Sequence, residues 1–274
     1  MVSNMKLAVL GPSGTYTCIA SELLKNKYEL DLYPSIFKSI LAIDEYEDAL
    51  IPLENTLDGF VFEGLDAITK YGYHIVEQVK LDVGFNFVSD VPLNEIKTVY
   101  VQFKAHGQCL SFLNDNNFNL YITQSNIESL NLFLANKQNS AAIIPTHVDT
   151  STYKYVVKNV TDSLKNQTRF VRVTKSLGMV ISEDDLTASL MVTPINDRAG
   201  LLYDILKVFS NYGLNLKAIV SRPRRDVMGR YSFYIEFDIQ KDNLDSISNL
   251  TNELENDFNK VKIIGIYNRL QGDE

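Results

Sequence analysis

Ala49-Leu50-Ile51-Pro52-Leu53-Glu54-Asn55-Thr56-Leu57-Asp58-Gly59 decides how this chain is read. An unbroken apolar run, Ala49 to Leu53, reads as a buried strand. It ends on a carboxylate, an amide and a hydroxyl, just past the strand's C-terminal end. In α/β sheets that edge is where ligands bind. Asn55 and Thr56 equally suit the cap of the helix suggested by Phe62, Leu65 and Ile68, and a cap and a ligand contact are compatible.

Upstream, Lys6 to Leu10 is a short apolar strand that ends at Gly11-Pro12-Ser13-Gly14-Thr15-Tyr16-Thr17. Ile19, Leu23 and Leu24 then give a helical stripe, so the order is strand, glycine-rich turn, helix. Unpaired N–H groups and the positive dipole end of that helix, with the hydroxyls of Ser13, Thr15 and Thr17 beside them, can hold a carboxylate or a phosphate. A tight turn that needs glycine for backbone reasons accounts for the stretch equally. The turn lacks the Gly-Lys-Ser/Thr ending of a P-loop and the third glycine of a dinucleotide fingerprint. Ser35 to Tyr46 reads as a helix with Ile36, Ile40 and Ile43 on one side.

Downstream, Ile75 to Val88 is β-rich and long enough to cross between two lobes. Alternation resumes at Ile96, with strands at 97–101, 120–123 and 141–144 and helices at 105–113 and 125–135. Strands alternating with helices argue for a parallel sheet covered on both faces. The chain returns through Tyr153 to Val157 to Asn166-Gln167-Thr168-Arg169-Phe170, where Phe170-Val171-Arg172-Val173 alternates as a strand does. A hydroxyl at Thr168 can donate to a departing or charged oxygen, and a guanidinium at Arg169 can clamp a carboxylate with two parallel hydrogen bonds. Taken alone, these residues are also an ordinary strand start with a solvated arginine. Two α/β lobes joined by crossing strands leave a cleft, a favoured place for a small ligand.

Ser176 to Leu186 has little periodicity and reads as a linker. Beyond it lies a unit of about 80 residues, the size of a small domain. Thr187–Thr193, Leu214–Val220, Tyr231–Ile239 and Val261–Ile266 read as strands. Ala199–Phe209, with an apolar stripe of Leu202, Ile205, Leu206 and Phe209, and Leu244–Leu254 read as helices. The order βαββαβ is ferredoxin-like. Open sheets of this kind often pair across subunits, so an oligomer is expected.

Composition narrows the class. The chain has 274 residues, 45% hydrophobic and 22% charged, with a formal net charge of −8. An acidic balance argues against a nucleic-acid footprint, and any positive potential that draws in an anion must be local. Two cysteines, Cys18 and Cys109, suit reduced thiols in a cytoplasmic protein. Met1 to Lys6 lacks an apolar signal core, with Met1 and Met5 both candidate starts, and no uncharged run is long enough for a membrane span. His74, His106 and His147 are scattered, without the spacing of metal ligands.

Three segments, Gly11–Thr17, Pro52–Gly59 and Asn166–Phe170, resemble the signature segments of the prephenate dehydratase family, in its order and spacing. The C-terminal unit is similar to an ACT domain, on Asp197-Arg198-Ala199-Gly200-Leu201-Leu202, Asn215-Leu216, Ser221-Arg222-Pro223 and Tyr231-Ser232-Phe233. The resemblance implies a catalytic domain over 5–177 built like a two-lobed periplasmic binding protein, its second lobe at about 81–158. A linker over 178–186 and an ACT regulatory domain over 187–268 would follow. It implies a lyase that takes water and carbon dioxide from prephenate to give phenylpyruvate, in phenylalanine biosynthesis. No metal or organic cofactor is used, and phenylalanine acts as feedback inhibitor on a homodimer or homotetramer. By the same resemblance Thr168 is the catalytic hydroxyl and Arg169 the carboxylate clamp. Glu54 and Asn55 join them, with Glu54 a proton source if its pKa is raised. Gly11, Ser13, Thr15, Thr56, Gln108 and Phe170 would contact substrate. Gly200, Leu201, Leu202, Ser221, Arg222 and Pro223 would receive phenylalanine. A non-catalytic amino-acid sensor and an arogenate dehydratase are the alternatives. Two departures stand out. The family often shows Ser-His-Pro-Gln where this chain has Val101-Gln102-Phe103-Lys104, before Gln108-Cys109 match again. Val220 stands where the family's Glu-Ser-Arg-Pro begins.

Overall fold

A computed structural model describes residues 5–24, 28–46, 48–163, 165–178, 181–224, 226–256 and 259–268. The start at Met1 lies outside the described residues, as does part of the expected linker.

The chain forms two sheets. Its strands, in order, are β1 (Met5–Leu10), β2 (Tyr28–Tyr33), β3 (Asp48–Asn55), β4 (Gly59–Phe60), β5 (His74–Asp82), β6 (Phe85–Ser89), β7 (Thr98–Gln102), β8 (Asn119–Thr123), β9 (Ser140–Pro145), β10 (Tyr155–Val157), β11 (Gln167–Thr174), β12 (Asp185–Pro194), β13 (Leu216–Pro223), β14 (Tyr231–Gln240) and β15 (Asn259–Asn268). The smaller sheet runs β10-β6-β9-β7-β8. The larger, ten-stranded sheet runs β13-β14-β12-β15-β5-β11-β3-β1-β2, with β4 hydrogen-bonded to β3. The long β-rich stretch from Ile75 does cross between the sheets, breaking at Val83-Gly84 so that β5 belongs to one and β6 to the other.

β1 runs parallel to β2 and β3, and β11 returns antiparallel between β3 and β5. This puts the end of β3 and the start of β11 side by side, with Thr168 opposite Asn55 and Arg169 opposite Glu54. In the smaller sheet β7 runs parallel to β8 and β9, so the turns leaving β7 and β8 emerge at the same edge.

From β12 onward the order is strand, helix, strand, strand, helix, strand, with helices Leu201–Asn211 and Asp245–Asn256 packed on one apolar cluster. This sheet does not end free. β15 meets β5 in parallel through Gly265 and Ile75, and the sheet of the C-terminal unit continues into that of the first lobe. Contact is so close that a Cβ on Gly265 would lie 2.3 Å from the Ile75 carbonyl oxygen. Only glycine permits that approach. A shared core covers the joint: Ile75, Val171 and Val173 from one side and Met191, Tyr234, Ile264 and Tyr267 from the other.

Several elements differ from the sequence reading. β2 was not anticipated; it is an edge strand on which polar and apolar residues alternate and none is fully buried. The helix expected over Ser35–Tyr46 is two, Ile36–Leu41 and Ile43–Tyr46, the first capped by Ser35, whose hydroxyl accepts from the Lys38 N–H. The helix expected from Ala105 starts earlier and breaks at Cys109, giving Phe103–Gln108 and Leu110–Asn116. On Leu201–Asn211 the buried face is Ile205, Val208 and Phe209, whereas Leu202, expected in the stripe, is exposed. No helix among the described residues is long and apolar enough to cross a membrane.

Candidate active site

A cleft of about 830 Å³ opens between the two sheets. The first lobe contributes Gly11, Thr15, Asn55, Asp58, Thr168 and Phe170 to its wall, and the facing lobe contributes Phe85, Gln102, Lys104, Gln108 and Asn126. Both walls are built from strand ends and the turns that follow them, the position the Ala49–Gly59 stretch indicated.

Side chains alternate along a strand, so Thr168 and Phe170 share a face and Arg169 takes the other. Thr168 and its ladder partner Asn55 face the cleft. The Asn55 amide is a hub: its Nδ2 donates to Thr168 Oγ1 at 2.9 Å and to Asn166 Oδ1 at 2.8 Å. Its Oδ1 accepts from the N–H groups of Leu57 and Asp58 at 2.9 and 3.0 Å, which locks the turn after β3. Asn166 Nδ2 donates to Gln108 Oε1 at 2.8 Å, and Gln108 Nε2 donates to Asp58 at 3.2 Å. A polar relay, Asp58–Gln108–Asn166–Asn55–Thr168, thus spans both walls, buried except at its exposed Asp58 end. Because the Thr168 oxygen accepts from Asn55, its own proton remains available to a group in the cleft, and no acceptor for it exists among the described residues.

Tyr16 closes the floor. Its hydroxyl donates to the Gly84 carbonyl, at the crossing between sheets, and accepts from the Gly84 N–H at 3.1 Å. Burial pushes that phenol up to about 12, so it stays neutral. His147 packs edge-on against the Tyr16 ring at 5.1 Å and reaches the Gly14 carbonyl at 3.2 Å. Burial lowers its pKa, which keeps the imidazole neutral.

Four residues expected at the site lie elsewhere. Arg169 projects from the far face of β11 toward the C-terminal unit. Its guanidinium grips Glu236 with two bonds of 2.5 and 2.8 Å and also donates to Glu54 at 2.9 Å. Tyr267 donates to the same Glu236 carboxylate at 2.8 Å. Burial works against the arginine's charge, but the Glu236 charge and hydrogen bonds outweigh it and raise the pKa well above the usual value. Arg169 is therefore not a clamp in this cleft, and Glu54 is its ion-pair partner rather than a proton source there. The physical reason is the two-residue period of the strand: neighbours on β11 cannot share one face. Thr56 ties the strand ends together, its hydroxyl donating to the Lys165 carbonyl and accepting from the Gln167 N–H, both at 3.0 Å. Ser13 is exposed at the turn and does not reach the cleft wall. Thr15 does reach it, but its hydroxyl donates to the Leu10 carbonyl at 3.0 Å.

Of the residues expected to receive phenylalanine, Leu201 lines one cavity and Arg222 and Pro223 line another. Gly200 adopts the left-handed conformation, φ 80°, at the start of its helix. Arg222 turns to the first lobe, where it grips Asp66 with two 2.8 Å bonds and stacks over the Phe62 ring at 4.1 Å. Asp58 and Asn126 line the cleft, and Asn166 stands behind it in the relay, without having been singled out for it. Asn126 follows the end of β8, and strand-end position was the available signal.

Two lobes, a largely apolar cleft with a few polar groups and a relay that ends on an unspent hydroxyl proton define an α/β protein built to act on a small molecule. The sequence profile of the prephenate dehydratase family matches residues 7–177, and the chain belongs to that family of lyases. The prephenate dehydratase of Methanocaldococcus jannaschii is 26% identical over 263 residues, covering 93% of this chain and 95% of that one. The crystal structure of the prephenate dehydratase of Staphylococcus aureus superposes with a TM-score of 0.82 at 25% identity, covering 96% of this chain and all of that one. That of Arthrobacter aurescens, solved in complex with L-Phe, gives 0.83 at 23% identity, covering 96% and 90%. This second likeness speaks to the fold.

Proposed function

We propose that this chain converts prephenate to phenylpyruvate, with the chemistry in the cleft between the two sheets. In the reaction the ring carbon–carboxylate bond breaks and its electron pair enters the ring. The carbon–hydroxyl bond breaks at the opposite position, and the departing oxygen leaves as water after gaining one proton. Carbon dioxide and water are released, one proton is consumed, and the ring becomes aromatic. Aromatisation supplies most of the driving force, so the protein has to position a dianion and assist the leaving oxygen.

Thr168 carries that second task. The single supporting observation is its hydrogen bonding: Oγ1 accepts from Asn55 and leaves the hydroxyl proton to point at a ligand. Asn55 is a positioning residue, held by the turn N–H groups and by Asn166. Gln108 and Asn166 extend the relay to Asp58. Phe170, on the cleft side of β11, offers an apolar surface to the ring.

Residues 5–177 are the catalytic domain in this reading, folded like a two-lobed periplasmic binding protein, and 187–268 are an ACT domain that receives L-phenylalanine in a cytoplasmic homo-oligomer. A protein of the same fold holds L-Phe, which supports that receptor. Because Leu201 borders one cavity of the chain and Arg222 and Pro223 another, a complete receptor in this reading draws on a second copy.

Incubating the purified protein with prephenate and following phenylpyruvate absorbance tests the activity. Thr168→Ala is expected to lower kcat by about 10²–10⁴-fold, the usual worth of a proton donor to a leaving group, with KM little changed. Turnover at the wild-type rate in that variant removes Thr168 from the mechanism. Saturating phenylalanine raises the melting temperature and lowers the rate; neither effect appears if the receptor assignment is wrong.

A further inference from the structure

We propose that Lys104 is the residue that binds a carboxylate of the substrate, so that the cation in the cleft comes from the second lobe and not from the arginine beside Thr168. The inference rests on the dehydratase reading and sharpens it.

Prephenate carries two negative charges, and the chain's formal net charge is −8, so an approaching dianion meets an unfavourable overall field. A local cation has to offset it. Among the described residues only two charged side chains line the cleft, Asp58 and Lys104. Asp58 is negative and already accepts from Gln108. Arg169 faces the opposite side of its strand and is neutralised by Glu236 and Glu54. Lys104 differs on both counts: its side chain borders the cleft, and it has no carboxylate partner among the described residues.

The position of Lys104 is set rather than incidental. Gln102, the last residue of β7, folds its side chain back so that Oε1 accepts from the N–H groups of Lys104 and Ala105 at 2.9 and 3.1 Å. That bond fixes the backbone from which the lysine stem departs. The turn after β8 lies next to it, since Gln102 is in register with Thr123, and brings Asn126 to the same wall. The Asn126 amide oxygen has no hydrogen-bond partner among the described residues, although it is buried. The Lys104 cation on this wall lies across the cleft from the wall that carries Thr168. A substrate held by one carboxylate at Lys104 therefore spans the cleft toward the Thr168 hydroxyl.

Steady-state kinetics of Lys104→Gln, Lys104→Met and Lys104→Arg with prephenate, over a series of salt concentrations, test the assignment. A hydrogen bond to a charged group contributes about 10- to 150-fold in affinity, and the low end applies to an exposed lysine. Lys104→Gln and Lys104→Met are expected to raise KM about tenfold, with kcat nearly unchanged, and to flatten the fall of kcat/KM with salt. Lys104→Arg restores most of the affinity and the salt dependence. Melting temperatures matching the wild type show that the variants fold. If wild type turns over prephenate and the Gln and Met variants keep its KM and its salt response, the lysine assignment is wrong while the dehydratase reading stands. If wild type makes no phenylpyruvate, the dehydratase reading itself fails and this inference with it.

Discussion

Replacing Glu236 with glutamine should separate structural cost from catalytic cost. Glu236 is only 1% exposed and Arg169 12%, and the two are joined by a bidentate contact across the joint between the first lobe and the C-terminal unit. Removing one charge of a buried pair generally costs about 3–5 kcal/mol, because the other charge is left buried. Glu54 still reaches Arg169 and the glutamine can still accept a hydrogen bond, so the lower end, about 3 kcal/mol, applies. For a chain of this size 1 kcal/mol moves the melting temperature by roughly 2–4 °C, which gives a fall of about 6–12 °C. Glu54 is 38% exposed, and Glu54→Gln should cost about 1 kcal/mol or less. Thermal melts followed by far-UV circular dichroism read both values. The companion variant Arg169→Met should lose stability comparably and leave KM for prephenate unchanged, since its guanidinium faces away from the cleft. A melting temperature for Glu236→Gln within a degree or two of wild type would refute a stabilising role for the Arg169–Glu236 pair. A tenfold rise of KM in Arg169→Met at unchanged stability would return the arginine to the active site.

Two further perturbations probe the same frame. Gly265→Ala places a methyl group 2.3 Å from the Ile75 carbonyl oxygen, backbone that cannot swing aside, and is expected to cost about 3 kcal/mol or more in a denaturant titration. A stability equal to wild type would show that the β5–β15 contact is not held that tightly. For pH, His74 and His147 both have folded pKa values below 6.5, in each case first because of burial. The unfolded chain then binds more protons than the folded one in the window below 6.5. Their contribution is present above that value and is lost as pH falls through it. Urea midpoints should accordingly drop between pH 7.5 and 5.5, and His147→Phe should blunt the drop. A flat profile in wild type would contradict the burial argument.

Much of the candidate site was legible because its residues follow strand ends. The run Ala49–Leu53 announces a buried strand, and Asn55 stands at its end. The turn Gly11–Thr17 follows β1, and Gln108 belongs to the segment after β7. These relations are local, and local periodicity reports them well. The breaks at Ala42 and Cys109 were not legible, because each lies inside a run whose apolar spacing continues across it. β2 was missed because an edge strand, half wet, carries a weak apolar signal.

By itself the sequence determined the alternation of strands and helices, the two lobes with their crossing stretch, the βαββαβ order of the tail, and the motif that ends on Thr168. It even contained the fact that Thr168 and Arg169 part company, since adjacent strand residues point to opposite faces. What only the tertiary structure decided is which face meets the cleft and what covers the other. That depends on β15 docking against β5 through Gly265 and Ile75, which are remote in sequence, and on Glu236 arriving beneath β11 from the C-terminal sheet. Periodicity fixes a residue's direction relative to its neighbours, but the partner it meets is set by contacts between segments that no local pattern encodes.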